Sequence, residues 1–257
     1  MLNSMNSALG TMETNQILKT LGLRAIKHKN YLKKMEKIGR LAEDFMHWVD
    51  TIGPAPDSMQ DGYDLMHADT RLSRLVTSRS YLGIYEALLD LKVWKDQEVN
   101  RFIDIGCGNG FLTHAISMKL KGANGVGVDI NGSAVEIAKS TDLQPDSGNL
   151  SFLAMDLSKK MSSDEKLAIG TFDLSISCMV LGELLHIPLG LKNAAFNLAE
   201  LTEPGGLFIS VERFPDTELQ REVLINAFSA AGFELKAKDI LEVGDEFYPL
   251  TIMAKKG

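Results

Sequence analysis

A glycine-rich turn between a predicted strand and a predicted helix constrains the fold of this chain more than any other feature. Residues 102–112 read FIDIGCGNGFL, so an apolar run that contains Asp104 is followed by glycine at positions 106, 108 and 110. A strand that ends in such a loop and continues as a helix brings bare backbone close to a ligand. The pattern predicts a nucleoside-type cofactor site at the end of the first strand.

Beyond this loop, short apolar runs alternate with helical patterns, which indicates βαβ units and a parallel sheet. The predicted strands are residues 101–105, 125–129, 150–155, 172–177 and 206–211. Two further runs, 233–243 and 246–254, flank Gly244-Asp245 and predict a terminal hairpin. We expect an α/β domain over residues 70–257, which begins with one helix over 70–91.

The first 69 residues are predicted to form a helical extension or lid. Its helical pattern ends at the Gly-Pro-Ala-Pro sequence of residues 53–56, because proline and glycine break helices. The polar stretch 57–64 that follows is interpreted as a turn.

Composition narrows the class of protein. The 257 residues, 45% of them hydrophobic, suffice for one large α/β domain with an appendage. No apolar run approaches the roughly 20 residues that span a bilayer, and no secretory signal is visible. The two cysteines, Cys107 and Cys178, have no metal-type spacing, so we expect a reduced, cytoplasmic protein without a metal site. The net charge of −7 disfavours a dedicated nucleic-acid binder.

Acidic residues at three successive strand ends distinguish between cofactors. The dinucleotide fingerprint requires a third glycine where this chain has Phe111. A pyrophosphate disfavours a nearby anion, whereas a ligand with a sulfonium and an ammonium gains from Asp104. Asp129 can accept both ribose hydroxyls, and Asp156 can accept an adenine amino group while Leu157 packs on the ring. The three acids favour S-adenosylmethionine, although Asp129 and Asp156 could instead cap helices and Asp104 could form an ion pair.

These motifs resemble those of the class I S-adenosylmethionine-dependent methyltransferases over roughly residues 80–257. Residues 104–110 resemble the first motif of that family, 172–178 the fourth, and 203–208 the turn before the fifth strand. The resemblance implies an α/β fold with a doubly wound, seven-stranded and mostly parallel sheet. The cofactor-binding residues that we predict are Asp104, Gly106, Cys107, Gly108, Gly110, Asp129, Ile130, Asp156, Leu157 and Cys178, with Arg79 and Tyr81 as residues that can reach the cofactor's carboxylate.

The segment after the fourth strand carries the candidates for catalysis. Residues 179–188 resemble the region where many small-molecule methyltransferases place a histidine before a proline, and here they contain Glu183 and His186. We predict that these two residues act in acid–base chemistry or bind the acceptor. Alternatively, Glu183 is a helix-start acid and His186 bonds to a backbone carbonyl.

The expected function is methyl transfer to oxygen or nitrogen of a small molecule, in a protein that could form a homodimer. An RNA or protein methyltransferase is an alternative, because residues 19–40 hold eight Lys/Arg and one acid. A cyclase or aminoalkyl-transfer enzyme that uses the same cofactor, and a non-catalytic cofactor-binding subunit, would show the same motifs.

Overall fold

The predicted apolar runs form a seven-stranded sheet in the computed structural model, which describes residues 12–51, 59–96, 98–140, 149–213 and 217–257. The strand order is β3-β2-β1-β4-β5-β7-β6. All neighbouring pairs from β3 to β5 are parallel, and β7 runs antiparallel to β5 and β6, so the terminal hairpin is confirmed. The strands are β1 (Arg101–Ile105), β2 (Asn124–Asp129), β3 (Leu150–Ala154), β4 (Phe172–Cys178), β5 (Thr202–Val211), β6 (Phe233–Val243) and β7 (Glu246–Lys255).

Helices cover both faces of this sheet, as a doubly wound fold requires. One face packs against α1, α6 and α8, and its buried residues include Leu88, Phe102 and Ile116. The other face packs against α12 and α13, where the rings of Phe208 and Phe228 stack with centroids 4.1 Å apart. The helices are α1 (Met12–Thr20), α2 (His28–Ile38), α3 (Arg40–Thr51), α4 (Met59–His67), α5 (Thr70–Ser80), α6 (Leu82–Leu89), α7 (Val93–Asp96), α8 (Phe111–Lys119), α9 (Gly132–Ser140), α10 (Ser163–Ile169), α11 (Leu181–Leu184), α12 (Gly190–Leu201) and α13 (Thr217–Ala230).

The N-terminal helices share cores with the α/β domain. Helices α2 to α5 enclose a small cluster that includes Tyr31, Phe45 and Leu72. Helix α1 instead packs on the sheet domain, since Ile17 and Leu18 belong to the core beneath α6 and α8. The extension is therefore continuous in space with the sheet, and the boundary at residue 69 stays a prediction.

Two predictions for this part of the chain are wrong. Residues 59–64 are helical rather than a turn, because packing of α4 on α3 stabilises the helix. The two helices are so close that a Cβ added at Gly62 would lie 2.4 Å from the Trp48 ring. The single helix over 70–91 is two helices that meet at Tyr81. Residues 52–58, which include the predicted proline break, lie outside the described residues.

None of the helices in the described parts of the chain combines the length and the apolar character needed to cross a bilayer.

Candidate cofactor and active site

The glycine loop after β1 adopts a backbone conformation that favours glycine. Gly106, Gly108 and Gly110 have φ values of 70°, 50° and 77°, in the left-handed region that other residues rarely adopt. A Cβ added at Gly106 would lie 2.1 Å from Val180 Cγ2. Glycine at these positions therefore permits both the turn and, at Gly106, the close approach of the loop after β4.

Asp129 ends β2 beside this loop. Its Oδ2 accepts a hydrogen bond from the Gly108 N–H at 2.8 Å, and its Oδ1 accepts one from the Asn131 N–H at 2.8 Å. A carboxylate has about four acceptor sites, so these two bonds leave capacity for further donors. The carboxylate is thus held in place with free lone pairs, as a ribose-binding acid requires.

Asp156 follows β3 at the same edge of the sheet. Its Oδ1 accepts hydrogen bonds from the Ser158 N–H and hydroxyl at 3.0 and 2.5 Å, and its Oδ2 lies 2.9 Å from Lys159 Nζ. Burial raises the pKa of Asp156, but the Ser158 and Lys159 bonds outweigh burial and lower it below its usual value. Leu157 is buried beside it, while Ile130 is exposed. The site at this end therefore combines a charged acceptor with apolar side chains.

Asp104 lies beneath the loop and is only 1% exposed. The Thr113 hydroxyl donates a hydrogen bond to its Oδ2 at 2.5 Å. The pKa of Asp104 is raised to about 7, because burial and the Asp129 charge raise it by more than the Thr113 hydrogen bond lowers it. A direct contact between Asp104 and the cofactor stays a prediction.

The buried Asp104 predicts how stability depends on pH in the protein without ligand. Its pKa is about 7 in the folded state and near 3.8 for the ordinary group, so between these values the folded carboxyl holds a proton that the unfolded chain releases. Stability from this group therefore falls as pH rises from about 4 to 7 and then levels off. Asp104→Asn mimics the protonated acid and lacks this loss of stability. We therefore expect its free energy of unfolding, relative to that of wild type, to be higher at pH 8 than at pH 5 by at least about 1 kcal/mol.

Urea unfolding of both proteins at the two pH values measures this difference. The pKa of Glu183 is also raised, but in both proteins, so its contribution to the pH dependence of stability cancels in the comparison. A difference between variant and wild type that is equal at pH 5 and pH 8 would contradict the assignment.

The strand ends and the N-terminal helices line an open cavity of about 390 Å³. This volume is in the range of small-ligand sites. Three predicted residues lie off its wall: Asp104 and Gly110 are packed behind the loop, and Arg79 is exposed on α5. The predicted residues that do line the wall are Tyr81, Gly106, Cys107, Gly108, Asp129, Ile130, Asp156, Leu157, Cys178, Glu183 and His186.

Helix α4 supplies wall residues that the sequence interpretation missed. Tyr63, Met66 and His67 line the cavity. The Tyr63 hydroxyl donates a hydrogen bond to Glu183 Oε1, and Asp64 Oδ1 accepts one from Asn131 Nδ2 at 2.7 Å. In a helix, positions i, i+3 and i+4 share one face, and this is the spacing of Tyr63, Met66 and His67. That spacing is the sequence feature from which their common position on the wall could have been predicted.

Glu183 and His186 occupy different positions in the same loop. Glu183 lies in α11 on the cavity wall. Its pKa is raised to about 7. Burial and the nearby Glu212 and Asp129 charges raise the pKa, and the Tyr63 hydrogen bond lowers it. His186 is exposed at the rim, and its backbone N–H donates a hydrogen bond to the backbone carbonyl of Glu183 at 3.2 Å. Glu183 is therefore a half-buried titratable group on the cavity wall.

Glu212 underlies this loop and does not point outward. It is 1% exposed, and it accepts hydrogen bonds from the Ser177 and Ser210 hydroxyls at 2.9 and 3.0 Å and from the Gly182 N–H at 3.2 Å. Its neighbour Arg213 forms an exposed ion pair with Glu246. Glu212 thus fixes the start of α11 beneath Glu183.

Both cysteines lie on the cavity wall, and burial raises the pKa of each thiol. Cys107 packs with Val135 and Phe152. Because a protonated thiol is a poor nucleophile, the raised pKa values disfavour a nucleophilic role for either cysteine.

A cavity at the carboxyl ends of parallel strands, with a glycine loop and an acid after the second strand, is the site of a class I S-adenosylmethionine-dependent methyltransferase fold. The sequence profile of a family described as "Methyltransferase domain" matches residues 96–244, more than half of the chain. The chain belongs to this methyltransferase-domain family, and its cofactor is S-adenosylmethionine.

Solved structures show the same fold. N-methyltransferase NodS from Bradyrhizobium japonicum WM9 is 18% identical, with 68% of this chain and 95% of that chain covered and a TM-score of 0.51. A chain of the Haloferax volcanii complex that contains the methyltransferase activator Trm112 is 19% identical, with 76% and 98% covered and a TM-score of 0.57. The [4+2]-cyclase SpnF is 16% identical, with 66% and 80% covered and a TM-score of 0.50. Among curated proteins, none matches the sequence.

The chemistry of the wall fits this cofactor. Among the described residues, the wall contains the carboxylates of Asp129, Asp156 and Glu183 and no lysine or arginine. Such a wall suits a ligand with positive charges and suits a pyrophosphate poorly. Asp129 would hold the ribose, Asp156 and Leu157 the adenine, and the glycine loop the methionine part.

Proposed function

We propose that this protein transfers a methyl group from S-adenosylmethionine to an oxygen or nitrogen atom of a small molecule. The observation that carries the proposal is the cavity of about 390 Å³, whose wall includes Tyr63, Met66 and His67 of α4 as well as the strand ends. A cavity of this size suits a small-molecule ligand better than a macromolecular chain. The residues of the cavity then only have to position the acceptor and remove its proton.

Glu183 is the proposed general base. S-adenosylmethionine supplies a methyl group on a positively charged sulfur. When the methyl carbon forms its bond to the acceptor, the carbon–sulfur bond would break, its electron pair would go to sulfur, and S-adenosylhomocysteine would leave. The Glu183 carboxylate would take the proton from the oxygen or nitrogen that attacks the methyl carbon. With a pKa of about 7, this group can accept a proton near neutral pH and release it again. Tyr63 is a positioning residue, because its hydroxyl bonds to Glu183 Oε1 and orients the carboxylate.

His186 is the second candidate for acceptor binding. Its side chain is exposed at the rim of the cavity, so it is placed to meet an acceptor as it enters. Its distance in sequence from Glu183 is three residues, and both belong to the loop that follows β4. The two residues therefore present one half-buried and one exposed polar group on the cavity wall.

The nucleoside product tests the proposed function. We expect the protein, incubated with S-adenosylmethionine and the small-molecule fraction of a cell extract, to release S-adenosylhomocysteine. The Asp129→Ala variant, which we expect to bind the cofactor poorly, is the control for non-enzymatic breakdown. Release of methylthioadenosine would contradict methyl transfer in favour of aminoalkyl chemistry. Tight cofactor binding without a nucleoside product from any fraction would indicate a binding subunit or a different use of the fold.

A macromolecular acceptor is the second candidate, and the basic face of α2 favours it. Lys29, Lys33 and Lys37 are exposed at intervals of four residues and therefore share one side of the helix. Helix α2 packs on α5, which lines the cavity through Ser73 and Thr77. An RNA acceptor would make the release of S-adenosylhomocysteine follow the RNA fraction, disappear with ribonuclease and fall steeply with salt.

A further inference from the structure

One of the three carboxylates on the cavity wall has no role in holding the cofactor. Asp129 and Asp156 lie at strand ends, where they would hold the ribose and the adenine. Glu183 lies outside these motifs, and the charged groups around its carboxylate within the described residues are the acids Glu212 and Asp129. A half-buried carboxylate without a nearby cation is costly, so the Glu183 side chain favours a positively charged ligand.

Two tyrosines adjoin the Glu183 carboxylate. The Tyr63 hydroxyl donates a hydrogen bond to Glu183 Oε1, which leaves acceptor sites on the carboxylate for a ligand. Tyr81 lies on the same wall and packs against the same hydrophobic cluster as Tyr63. The pKa of Tyr81 is raised to about 12, mainly by burial and then by the nearby Cys178 and Glu183. An acid and two aromatic rings therefore share this part of the cavity.

No lysine or arginine lies on the part of the wall that the structure describes. Arg213, which lowers the pKa of Tyr81, is exposed and forms its ion pair with Glu246. An acceptor that carries a carboxylate, or that reacts as a phenolate, would therefore meet no positively charged side chain on this wall. An alkyl ammonium would find a carboxylate as counter-ion and the electron-rich faces of two tyrosine rings.

We propose that the acceptor is an amine, which the site binds as an ammonium ion with Glu183 as its counter-ion and Tyr63 and Tyr81 beside it. This inference rests on the proposed methyl transfer and narrows its acceptor from oxygen or nitrogen to an amine nitrogen. Tyr81 would then contact the acceptor and not the cofactor's carboxylate, which the Glu183 charge would repel. The same charge offsets the repulsion between the ammonium and the positively charged sulfur of the cofactor.

The transfer balances with one proton held by Glu183. The ammonium gives this proton to the carboxylate, and the freed lone pair of nitrogen forms the bond to the methyl carbon. The carbon–sulfur bond breaks with its electron pair left on sulfur, so the positive charge of the sulfonium ends on the methylated nitrogen. Glu183 then releases its proton to water, which a pKa of about 7 permits near neutral pH.

Three probes with the same ring and different charges test the ammonium site. Benzylamine, benzyl alcohol and benzoate are titrated into the protein saturated with S-adenosylhomocysteine at pH 8, where an alkyl ammonium keeps its proton and Glu183 is ionised. We expect benzylamine to bind at least about tenfold more tightly than either of the other two probes. Equal affinities for benzylamine and benzyl alcohol would overturn the proposal.

Two positions show where the preference for benzylamine arises. We expect Glu183→Gln, which keeps the shape and removes the charge, to weaken benzylamine about tenfold and benzyl alcohol by less than about threefold. Tyr81→Phe keeps the aromatic ring and is the matched control for Tyr81→Leu, so only the leucine variant should weaken benzylamine, by roughly two- to fivefold. A preference for benzylamine that survives in Glu183→Gln would place the ammonium elsewhere and contradict the proposal.

Selective acylation of amines tests the same inference in turnover. The small-molecule fraction of a cell extract that supports release of S-adenosylhomocysteine is treated with the N-hydroxysuccinimide ester of acetic acid, which converts amines to uncharged amides. We expect the release to disappear, and release that persists would show an acceptor other than an amine. A protein that releases no S-adenosylhomocysteine from the untreated fraction contradicts methyl transfer, whereas the comparison of benzylamine with benzyl alcohol still decides the ammonium site.

Discussion

Replacement of Asp129 by alanine is expected to weaken the binding of S-adenosylhomocysteine by roughly 100- to 10,000-fold. The carboxylate is fixed at the end of β2 by the N–H groups of Gly108 and Asn131 and keeps lone pairs for two ribose hydroxyls. Each hydrogen bond to a charged group contributes about 1.5–3 kcal/mol, and about 1.4 kcal/mol is a factor of ten in affinity. Calorimetric titration of wild type and variant measures the loss.

The same substitution also removes a support of the glycine loop, so the comparison needs a second ligand. An S-adenosylhomocysteine analogue without the two ribose hydroxyls separates the effects. We expect wild type to discriminate strongly against this analogue and Asp129→Ala to bind both ligands equally. A variant that still prefers the ribose hydroxyls would place the ribose elsewhere.

The sheet and the cofactor end of the site were predictable because their determinants are local. Strands buried on both faces are short apolar runs, and a strand-to-helix turn with glycine at alternate positions is encoded within seven residues. Asp129 ends one predicted strand and Asp156 directly follows the next, and the carboxyl ends of parallel strands meet at one edge. Strand spacing alone therefore brought these residues to the same wall.

Helix α4 was not predictable in the same way, because its stability comes from distant contacts. Its sequence contains Gly62 and several polar residues, which favour a turn when considered alone. The helix is held by packing on Trp48 and by the bonds of Tyr63 to Glu183 and of Asp64 to Asn131, over separations of 120 and 67 residues. No local pattern encodes such pairs, so His67 and Tyr63 were missed as wall residues.

Asp104 shows a different limit of sequence reasoning. The pattern located the acid at the end of β1 but could not show which way its side chain points. The carboxylate turns into the domain, where Thr113 donates to it, and Ile105 rather than Asp104 lines the cavity. Neighbouring residues of a strand point to opposite faces, so the Asp104 side chain supports the loop from beneath, and its contact with the cofactor stays a prediction.

Conversion of Glu183 to glutamine is expected to lower kcat by about 10²- to 10⁴-fold, which is the usual contribution of a general base. Glutamine has the shape of the protonated acid and can still accept the hydrogen bond from Tyr63 through Oε1, so α4 should remain in place. We expect the affinity for S-adenosylhomocysteine to stay within a factor of about three. A variant with wild-type kcat would exclude Glu183 as the base.

The pH profile distinguishes a base from a residue that only shapes the cavity. The pKa of Glu183 is about 7, and the carboxylate is the active form, so kcat should rise as pH increases through 7 and level off above it. In Glu183→Gln this rise should disappear. The Tyr63 hydrogen bond lowers the pKa of Glu183 and orients its carboxylate, so Tyr63→Phe should move the midpoint to higher pH and also lower the plateau. A midpoint that is the same in wild type and Tyr63→Phe would show that the titrating group is not Glu183, because the Tyr63 hydroxyl donates its hydrogen bond directly to the Glu183 carboxylate.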